Sequence, residues 1–201
     1  MTAAELEFSQ ASSMPSWLTL ADNVFNEQAK RWDTSSCDGG LRWQIRPRNS
    51  GLKMPLPIGE LFQSSARLAR YTGNQTYADL ADKIWDWNAD TLLDIKDWIL
   101  ADAAKVHSDC EDRSMLSWPH NYSVYFSGAA YIYKRMINTS TRKKNNDADK
   151  CQETKWESGL DGLRNRTFHM LFPEKYGGMI MSEACEHGTL CPQRWTGWCQ
   201  S

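Results

Sequence analysis

Residues 59–88, GELFQSSARLARYTGNQTYADLADKIWDWN, decide the fold of this chain. Residues at helical spacing flank a Thr72-Gly73-Asn74 turn: Leu61, Phe62, Ser65, Leu68, Ala69 and Tyr71 before it, and Tyr77, Leu80, Ala81, Ile84, Trp85 and Trp87 after it. Gly73 and Asn74 tolerate left-handed backbone, so they can end one helix and reverse the chain. The stretch therefore predicts an αα-hairpin.

The hairpin pattern recurs along the chain. A shift of 64 residues lays Phe126, Gly128, Ala129, Ala130 and Ile132 over Phe62, Ser64, Ser65, Ala66 and Leu68. A shift of 60 residues lays residues 21–25 over residues 81–85. Small residues on one helix and aromatic residues on its partner, repeated about every 60 residues, predict stacked helical hairpins.

The composition limits the classes of protein to consider. A chain of 201 residues suggests a single domain, 1–201, and a net charge of -2 gives no reason to expect nucleic acid or an anionic membrane as a partner. No stretch approaches the length needed to span a bilayer. Ten tryptophans are unusual, and we expect most of them to pack in the core and two or three to stack on sugar rings.

Cysteines and glycosylation sequons indicate a secretory history. Six cysteines include no CxxC pair and only four histidines accompany them, so neither a metal site nor a cofactor is predicted. Four sequons begin at Asn74, Asn121, Asn138 and Asn165. Together they favour an oxidising compartment and up to three disulfides, one of which could join Cys185 to Cys191, while reduced cysteines in the cytosol stay an alternative. Residues 1–8 lack a signal peptide and the last residues lack an anchor signal, so we expect either a cytosolic protein or a fragment.

The remaining chain divides into helices and long connections. We predict helices over residues 15–32, 121–136 and 156–171, and connections over 33–57, 91–119 and 140–155, the last as a solvated run. Residues 1–13 form an amphipathic stretch that could be the end of a helix.

Four segments carry a resemblance to a known family. Residues 37–44 (CDGGLRWQ), 66–86 (ARLARYTGNQTYADLADKIWD), 120–133 (HNYSVYFSGAAYIY) and 183–191 (EACEHGTLC) resemble fungal members of glycoside hydrolase family 76, which are endo-α-1,6-mannanases and their cell-wall relatives. The resemblance implies an all-α fold, an (α/α) barrel in which a ring of helical hairpins carries a mannan groove at one end.

The catalytic acids of that family are not found. The resemblance implies an adjacent Asp-Asp pair, and this chain has no Asp-Asp dipeptide, so no catalytic residue is assigned. Glu111-Asp112 is expected to be a solvated pair, Asp79, Asp82, Asp86 and Asp90 a water-facing stripe, and His120 a capping or packing residue. We therefore expect an N-terminally truncated or degenerate member with an incomplete ring, marginally stable or dependent on disulfides.

The resemblance also implies substrate-binding residues. Arg42, Trp43, Asp102 and Asn121 would border the groove, Asp102 in place of an Asp-Gly and Asn121 within the counterpart of a Tyr-Asn-Gln-Gly. Because a glycan on Asn121 would block a narrow groove, glycosylation is expected at Asn74, Asn138 and Asn165 instead.

Several functions remain open. The first is a mannan endo-1,6-α-mannosidase-like hydrolase, inactive as this chain, that binds α-1,6-linked mannan or mannosyl glycans as a monomer at the cell surface or wall. The alternatives are a non-catalytic mannan-binding remnant, a wall transglycosidase acting on lipid-anchor glycans, and, more weakly supported, a cytosolic helical scaffold.

Overall fold

The structure, a computed structural model, describes residues 17–45, 51–140, 147–172 and 174. The described residues contain five α-helices, α1 (Trp17–Ala29), α2 (Pro55–Thr72), α3 (Gln75–Thr91), α4 (Pro119–Ser140) and α5 (Asp147–Arg166), followed by a π-helical turn (Thr167–Leu171). The predicted Cys185–Cys191 loop, the 183–191 motif and the 1–13 helix end lie outside the described residues.

The predicted hairpin is confirmed as α2 and α3. Gly73 adopts the left-handed conformation with φ 72°, and its N–H donates to the Ala69 carbonyl. Asn74 begins α3, because its side-chain oxygen accepts from the N–H of Thr76. Helix α2 starts earlier than predicted, at Pro55, where a proline costs no hydrogen bond.

The predicted repeat appears in how the helices pack. Helices α2 and α4 begin 64 residues apart and lie side by side, while α3 packs on α2 and α5 packs on α4. Two glycines allow the close approach: a Cβ on Gly59 would lie 2.5 Å from Val124, and one on Gly128 would overlap the Phe62 ring. Gly59 contacts Val124, and Phe62, three residues later on α2, contacts Gly128, four residues later on α4. Because the contacting residues follow one another in the same direction along both helices, α2 and α4 are parallel. They form inner positions, and α3 and α5 outer positions, in an arc of an (α/α) barrel.

An aromatic cluster fills the space between these layers. The ring of Phe62 lies 5.7 to 5.9 Å from the rings of Trp85, Tyr125 and Trp156, and Trp85 lies 5.0 Å from Trp156. These four side chains are at most 4% exposed. Burying so much aromatic area supplies a large part of the core's apolar stabilisation.

The prediction of a solvated run over residues 140–155 is wrong in part, because α5 begins at Asp147. Its first turns contain Ala, Lys, Gln and Glu, which favour helix without an apolar stripe. The predicted water-facing stripe is also partly wrong. The Lys155 ammonium lies 3.1 Å from the Asp82 carboxylate and 2.6 Å from that of Asp86, which ties α5 to α3.

Short strands, which the sequence did not predict, cross the two long connections. They are β1 (Leu52–Lys53), β2 (Leu93–Asp94), β3 (Ile99–Leu100), β4 (Ala103–Lys105) and β5 (Arg113–Ser114). Strands β1, β4 and β5 form an antiparallel sheet in that order, Arg42 bridges to Lys53 at its edge, and β2 pairs with β3. Strands of two or three residues are too short to show an alternating pattern.

None of the helices in the described part of the chain combines the length and apolar composition needed to cross a membrane.

Candidate substrate-binding site

Both long connections meet at one end of the arc. Helices α2 and α4 are parallel, and each begins where a long connection ends. The connections, their small sheet and the first turns of both inner helices therefore share one face. All four predicted binding residues lie on this face, but at two different places.

Asp102 and Asn121 are brought together by the β2–β3 hairpin. The Tyr122 hydroxyl accepts from the Leu100 N–H at 2.9 Å and donates to the Trp98 carbonyl at 3.2 Å, which fixes the hairpin against α4. Asp102 follows this hairpin by two residues, and Asn121 precedes Tyr122. Their neighbours are thus bonded to each other, and their side chains lie within interaction distance.

Asp102 has a perturbed carboxyl group. Burial raises its pKa, while the side chains of Asn121 and Trp118 and the charge of His120 act in the opposite direction. Its backbone N–H donates to the Ser114 carbonyl at 2.8 Å, so the segment is anchored to β5. A half-buried carboxyl with a shifted pKa in a loop-lined face is a functional-site signal.

Asn121 contributes unpaired polar atoms. It is 1% exposed, yet neither Nδ2 nor Oδ1 makes a hydrogen bond of normal geometry. The buried Ser117 hydroxyl is unpaired as well. Such atoms cost about 1–3 kcal/mol each and mark places where water or a ligand completes the bonding. The same burial leaves no room for a glycan on Asn121, whereas Asn74, Asn138 and Asn165 are exposed.

Trp118 and His120 complete this cluster. Their rings stack with centroids 6.1 Å apart and planes 27° apart. His120 was predicted to cap or pack, and the structure shows it packing on Trp118. Sequence reasoning missed Trp118 and Ser117. The signal available was an aromatic residue directly before Pro119, which begins α4.

Arg42 and Trp43 lie at the other edge of the sheet. Strand register places Trp43 level with Lys105, which is three residues along the sheet from Asp102. Trp43 also lies two strands across from Asp102. With the spacings of an ideal sheet, the two residues are roughly 14 Å apart. The Arg42 guanidinium Nε already lies 2.7 Å from the Asp33 carboxylate. Trp43 is 36% exposed, so its ring remains accessible.

A buried lysine, which sequence reasoning missed, organises this edge. The Lys53 ammonium is fully buried and donates to the carbonyls of Asp33 at 2.9 Å, Ser36 at 2.6 Å and Gly39. Burial lowers the pKa of Lys53, and the nearby Asp33 carboxylate, 3.7 Å away, opposes this.

The Asp33 carboxyl responds to the same surroundings. Burial alone would raise its pKa, but hydrogen bonds from Ser35 and Arg42 and the Lys53 charge hold that pKa well below its usual range. The carboxylate therefore stays ionised and holds Arg42 in place.

The segment around Lys53 is further constrained. Gly39 and Gly40 have φ of 154° and 92°, and a Cβ on either would lie 2.7 Å from Trp32 or Trp87. A disulfide joins Cys37 to Cys110 with 5.6 Å between their Cα atoms. Arg42 and Trp43 thus sit on a fixed rim.

The other acidic candidates lie outside the cluster. Glu111 and Asp112 are exposed as predicted, and Asp112 pairs with Lys105 at 2.7 Å. In the described part of the chain, no group of three His, Cys, Asp or Glu side chains could hold a metal ion.

An arc of parallel inner helices, with a carboxyl–amide cluster and the exposed Trp43 at their N-terminal end, places the chain in the class of (α/α)-barrel proteins. A sequence profile described as glycosyl hydrolase family 76 matches residues 1–195. The chain belongs to this family of glycosidases.

Individual relatives agree with this assignment. The mannan endo-1,6-alpha-mannosidase DCW1 of Candida albicans is 35% identical over 197 residues, covering 95% of this chain and 40% of the relative. The crystal structure of Dfg5 from Chaetomium thermophilum in complex with glucosamine is 30% identical, with a TM-score of 0.77, and covers 96% of this chain and 44% of that one. This chain thus spans about 40% of the length of the curated relatives.

A bacterial structure shares the fold. It is the alpha-1,6-mannanase GH76A of Salegentibacter sp., 16% identical with a TM-score of 0.59 over 74% of this chain and 39% of that one. It is described as an inactive variant, with two neighbouring aspartates replaced by alanine, in complex with alpha-1,6-mannotetrose.

Proposed function

We propose that this chain is part of a mannan endo-1,6-α-mannosidase-like glycoside hydrolase, and that its described residues form one wall of a groove for α-1,6-linked mannan. The observation that carries the proposal is the proximity of the Asp102 carboxyl to the buried Asn121 amide, which makes no hydrogen bond of normal geometry, at the end of the inner helices. Membership of family 76 and the activity for which relatives such as DCW1 are named support the substrate.

The chemistry of the cluster suits a sugar. Asp102 is only partly buried and offers acceptor oxygens that can bind vicinal hydroxyl groups, while the buried Asn121 amide behind it acts on the carboxyl. Trp118 beside them offers an aromatic face of the kind that stacks on the C–H face of a pyranose ring. Trp43 at the opposite edge of the sheet would contact a more distant sugar unit.

The catalytic pair that the family resemblance implies is not found in these 201 residues. Glycoside hydrolysis uses two carboxyl groups flanking the scissile bond, and the 201 residues contain no Asp-Asp pair. The Salegentibacter enzyme is described as inactive once two neighbouring aspartates are replaced. We therefore propose that this chain, by itself, binds mannan without hydrolysing it. A mannan-binding remnant is the second candidate function, and the absent pair favours it.

The proposed setting is the secretory pathway and the cell surface. The Cys37–Cys110 disulfide and the exposed sequons at Asn74, Asn138 and Asn165 support an oxidising compartment over the cytosolic scaffold.

Affinity electrophoresis tests the proposal. The 201-residue chain is run through gels containing linear α-1,6-mannan, with β-1,4-mannan as the control polysaccharide, and reducing ends are assayed in parallel. We expect retardation by the α-1,6 polymer alone and no new reducing ends. Equal mobility in all gels would refute binding, and released reducing ends would refute the non-catalytic assignment.

A further inference from the structure

A polar groove of about 570 Å³ lies between the tip of the β2–β3 hairpin and the last turns of α5. Asp97 and Trp98 line it on the hairpin side. The opposite wall consists mainly of Ser158 and the residues 3, 4, 7, 8 and 11 positions after it, which form one stripe of α5 and the π-helical turn. Except for Gly162, the residues of this stripe have polar or charged side chains. The groove is therefore a polar surface around one aromatic ring.

Trp98 is fixed at the edge of this groove. Its backbone φ of 55° lies in the left-handed region, which a bulky residue rarely adopts unless its surroundings impose it. Its carbonyl accepts from the Tyr122 hydroxyl at 3.2 Å, and its ring lies so close to Gly162 that an added Cβ there would overlap it. The side chain is nevertheless only partly buried, so the ring contributes an immobile aromatic face to the groove.

Asn165 brings a glycosylation sequon to the same place. Residues 165–167, Asn-Arg-Thr, form the sequon, and the Asn165 side chain is exposed and lines the groove. Side chains on an α-helix lean toward its N-terminus and cover the preceding turn. The turn before Asn165 contains Gly162, on which the Trp98 ring lies. A sugar attached to Asn165 therefore begins beside that ring.

We propose that an N-linked glycan on Asn165 occupies this groove, with its first N-acetylglucosamine stacked on the Trp98 ring. During attachment, the Asn165 side-chain nitrogen loses a proton and forms a bond to C1 of that sugar. The bond from C1 to the diphosphate oxygen of a lipid-linked oligosaccharide donor breaks, and the lipid diphosphate leaves with the bonding electrons. The inference rests on the proposed secretory setting and is independent of mannan binding.

The groove has the chemistry that such a sugar needs. The flat face of Trp98 suits the C–H face of a pyranose ring. The carboxylates of Asp97 and Asp161, on opposite walls, offer acceptor oxygens to the hydroxyl groups and the acetamido N–H. A glycan held in this way would join α5 to the hairpin that leads into Asp102.

Nuclear magnetic resonance of the glycosylated protein tests the stacking. The 201-residue chain is secreted from a eukaryotic host behind a cleavable leader, its glycans are trimmed to single N-acetylglucosamines, and mass spectrometry measures the occupancy of each sequon. We expect Asn165 to be occupied. The ring protons of its sugar should resonate upfield of their positions in the isolated glycopeptide, because they lie over an indole. Trp98→Leu should abolish the upfield shift, whereas Trp98→Phe, which keeps an aromatic face, should retain part of it.

Thermal denaturation tests the same contact without a change at Trp98. In the glycosylated protein, Asn165→Gln should lower Tm by roughly 3 °C, because the stacking is lost. The matched control Asn138→Gln, which removes the sequon at the C-terminal end of α4, should leave Tm nearly unchanged. Asn165→Gln should also have no effect in the unglycosylated chain made in the bacterial periplasm, which excludes an effect of the asparagine itself.

Several results would overturn the inference. An unmodified Asn165 beside occupied Asn74 and Asn138 would overturn it and leave the secretory setting intact, whereas no glycan at any of the three would overturn that setting as well. Sugar protons at Asn165 that resonate as in the free glycopeptide, or an upfield shift that survives Trp98→Leu, would show that the sugar does not stack on this ring. Equal Tm losses from Asn165→Gln and Asn138→Gln would show that the groove does not hold its glycan.

Discussion

A fully buried ammonium group, at Lys53, is satisfied almost entirely by backbone carbonyls. Three of them accept from Nζ, and the Asp33 carboxylate lies 3.7 Å away. Because an isolated charge in a protein interior is costly, the arrangement is stable only while the carbonyls and the carboxylate all remain in place. The residues between Asp33 and Arg42 therefore behave as one unit with Lys53.

Asp33→Asn should consequently lower the free energy of unfolding by about 2–3 kcal/mol at pH 7, because it leaves the buried ammonium without a counter-charge. The control is Asp112→Asn, which breaks the exposed 2.7 Å pair with Lys105 and should cost less than about 1 kcal/mol. Urea denaturation of both variants measures the difference. Equal losses would contradict a special role for Asp33.

The pH dependence of this effect has a definite sign. The folded-state pKa of Asp33 is lowered, so its stabilisation is complete above the ordinary carboxyl pKa of 3.8 and is lost as the pH falls below it. The gap between wild type and Asp33→Asn should narrow at pH 3. A gap of constant size from pH 7 to 3 would show that the carboxylate charge is not responsible.

Asp102→Asn should have the opposite effect on stability. Burial raises the pKa of Asp102, so the ionised form disfavours folding, and stability falls as the pH rises through the folded-state pKa. Asp102→Asn should therefore raise Tm at pH 7, with the gain shrinking below pH 4. If the substitution lowers Tm at pH 7, the carboxylate stabilises the fold and is not held at a cost for binding.

Only part of the site could be predicted from the sequence. Asp102 and Asn121 were identified through the family resemblance, and the structure brings them together. Lys53 was not, because no local pattern reveals that a lysine between Leu52 and Met54 will meet carbonyls 14 to 20 residues earlier. Trp118 was not predicted because Asp102, which it contacts in the folded structure, is not close to it in the sequence.

At the scale of elements, two glycines set the distance between α2 and α4. Gly128→Ala should lower the free energy of unfolding by about 1–3 kcal/mol, because the new methyl group would overlap the Phe62 ring. Alanine's higher helix propensity offsets less than about 1 kcal/mol of this. The control is Gly51→Ala, where no atom lies within 4 Å of the added Cβ. Chemical denaturation that ranks both variants alike would contradict close packing of α2 and α4.

The sequence predicted helices with apolar stripes and missed elements without them. The α2–α3 hairpin and its 64-residue offset to α4 follow from periodicity and from Gly73. Strands of two or three residues and the polar start of α5 carry no periodic signal, so tertiary pairing decides them. Asp82 was predicted to face water because local sequence does not reveal its partner, Lys155, which lies 73 residues further along the chain.

For the whole molecule, the Cys37–Cys110 disulfide ties the two long connections together across 73 residues of sequence. Replacing both cysteines by serine should lower the free energy of unfolding by about 4 kcal/mol, chiefly by releasing the unfolded chain from a large loop. Reduction of the wild type should give a similar loss, whereas the double variant should not respond to reductant. A fully stable double variant would contradict the expected dependence on the disulfide.

The proposed function also depends on how much of its relatives' length this chain covers. It belongs to glycosyl hydrolase family 76 but spans about 40% of the length of its curated relatives, and it contains no Asp-Asp pair. The function proposed above assigns it part of the mannan-binding wall and no catalytic acid.

Calorimetric titration of α-1,6-mannotetraose into the 201-residue chain tests that account most directly, with Asn121→Ala and the distant Lys105→Ala as a matched pair. We predict saturable binding by the wild type and by Lys105→Ala, and at least tenfold weaker binding by Asn121→Ala, because the Asp102 carboxyl then loses the buried amide that acts on it. Circular dichroism confirms that each variant is folded. No heat of binding by the wild type at millimolar sugar, or equal affinity of both variants, would contradict the assignment of this face as the mannan site.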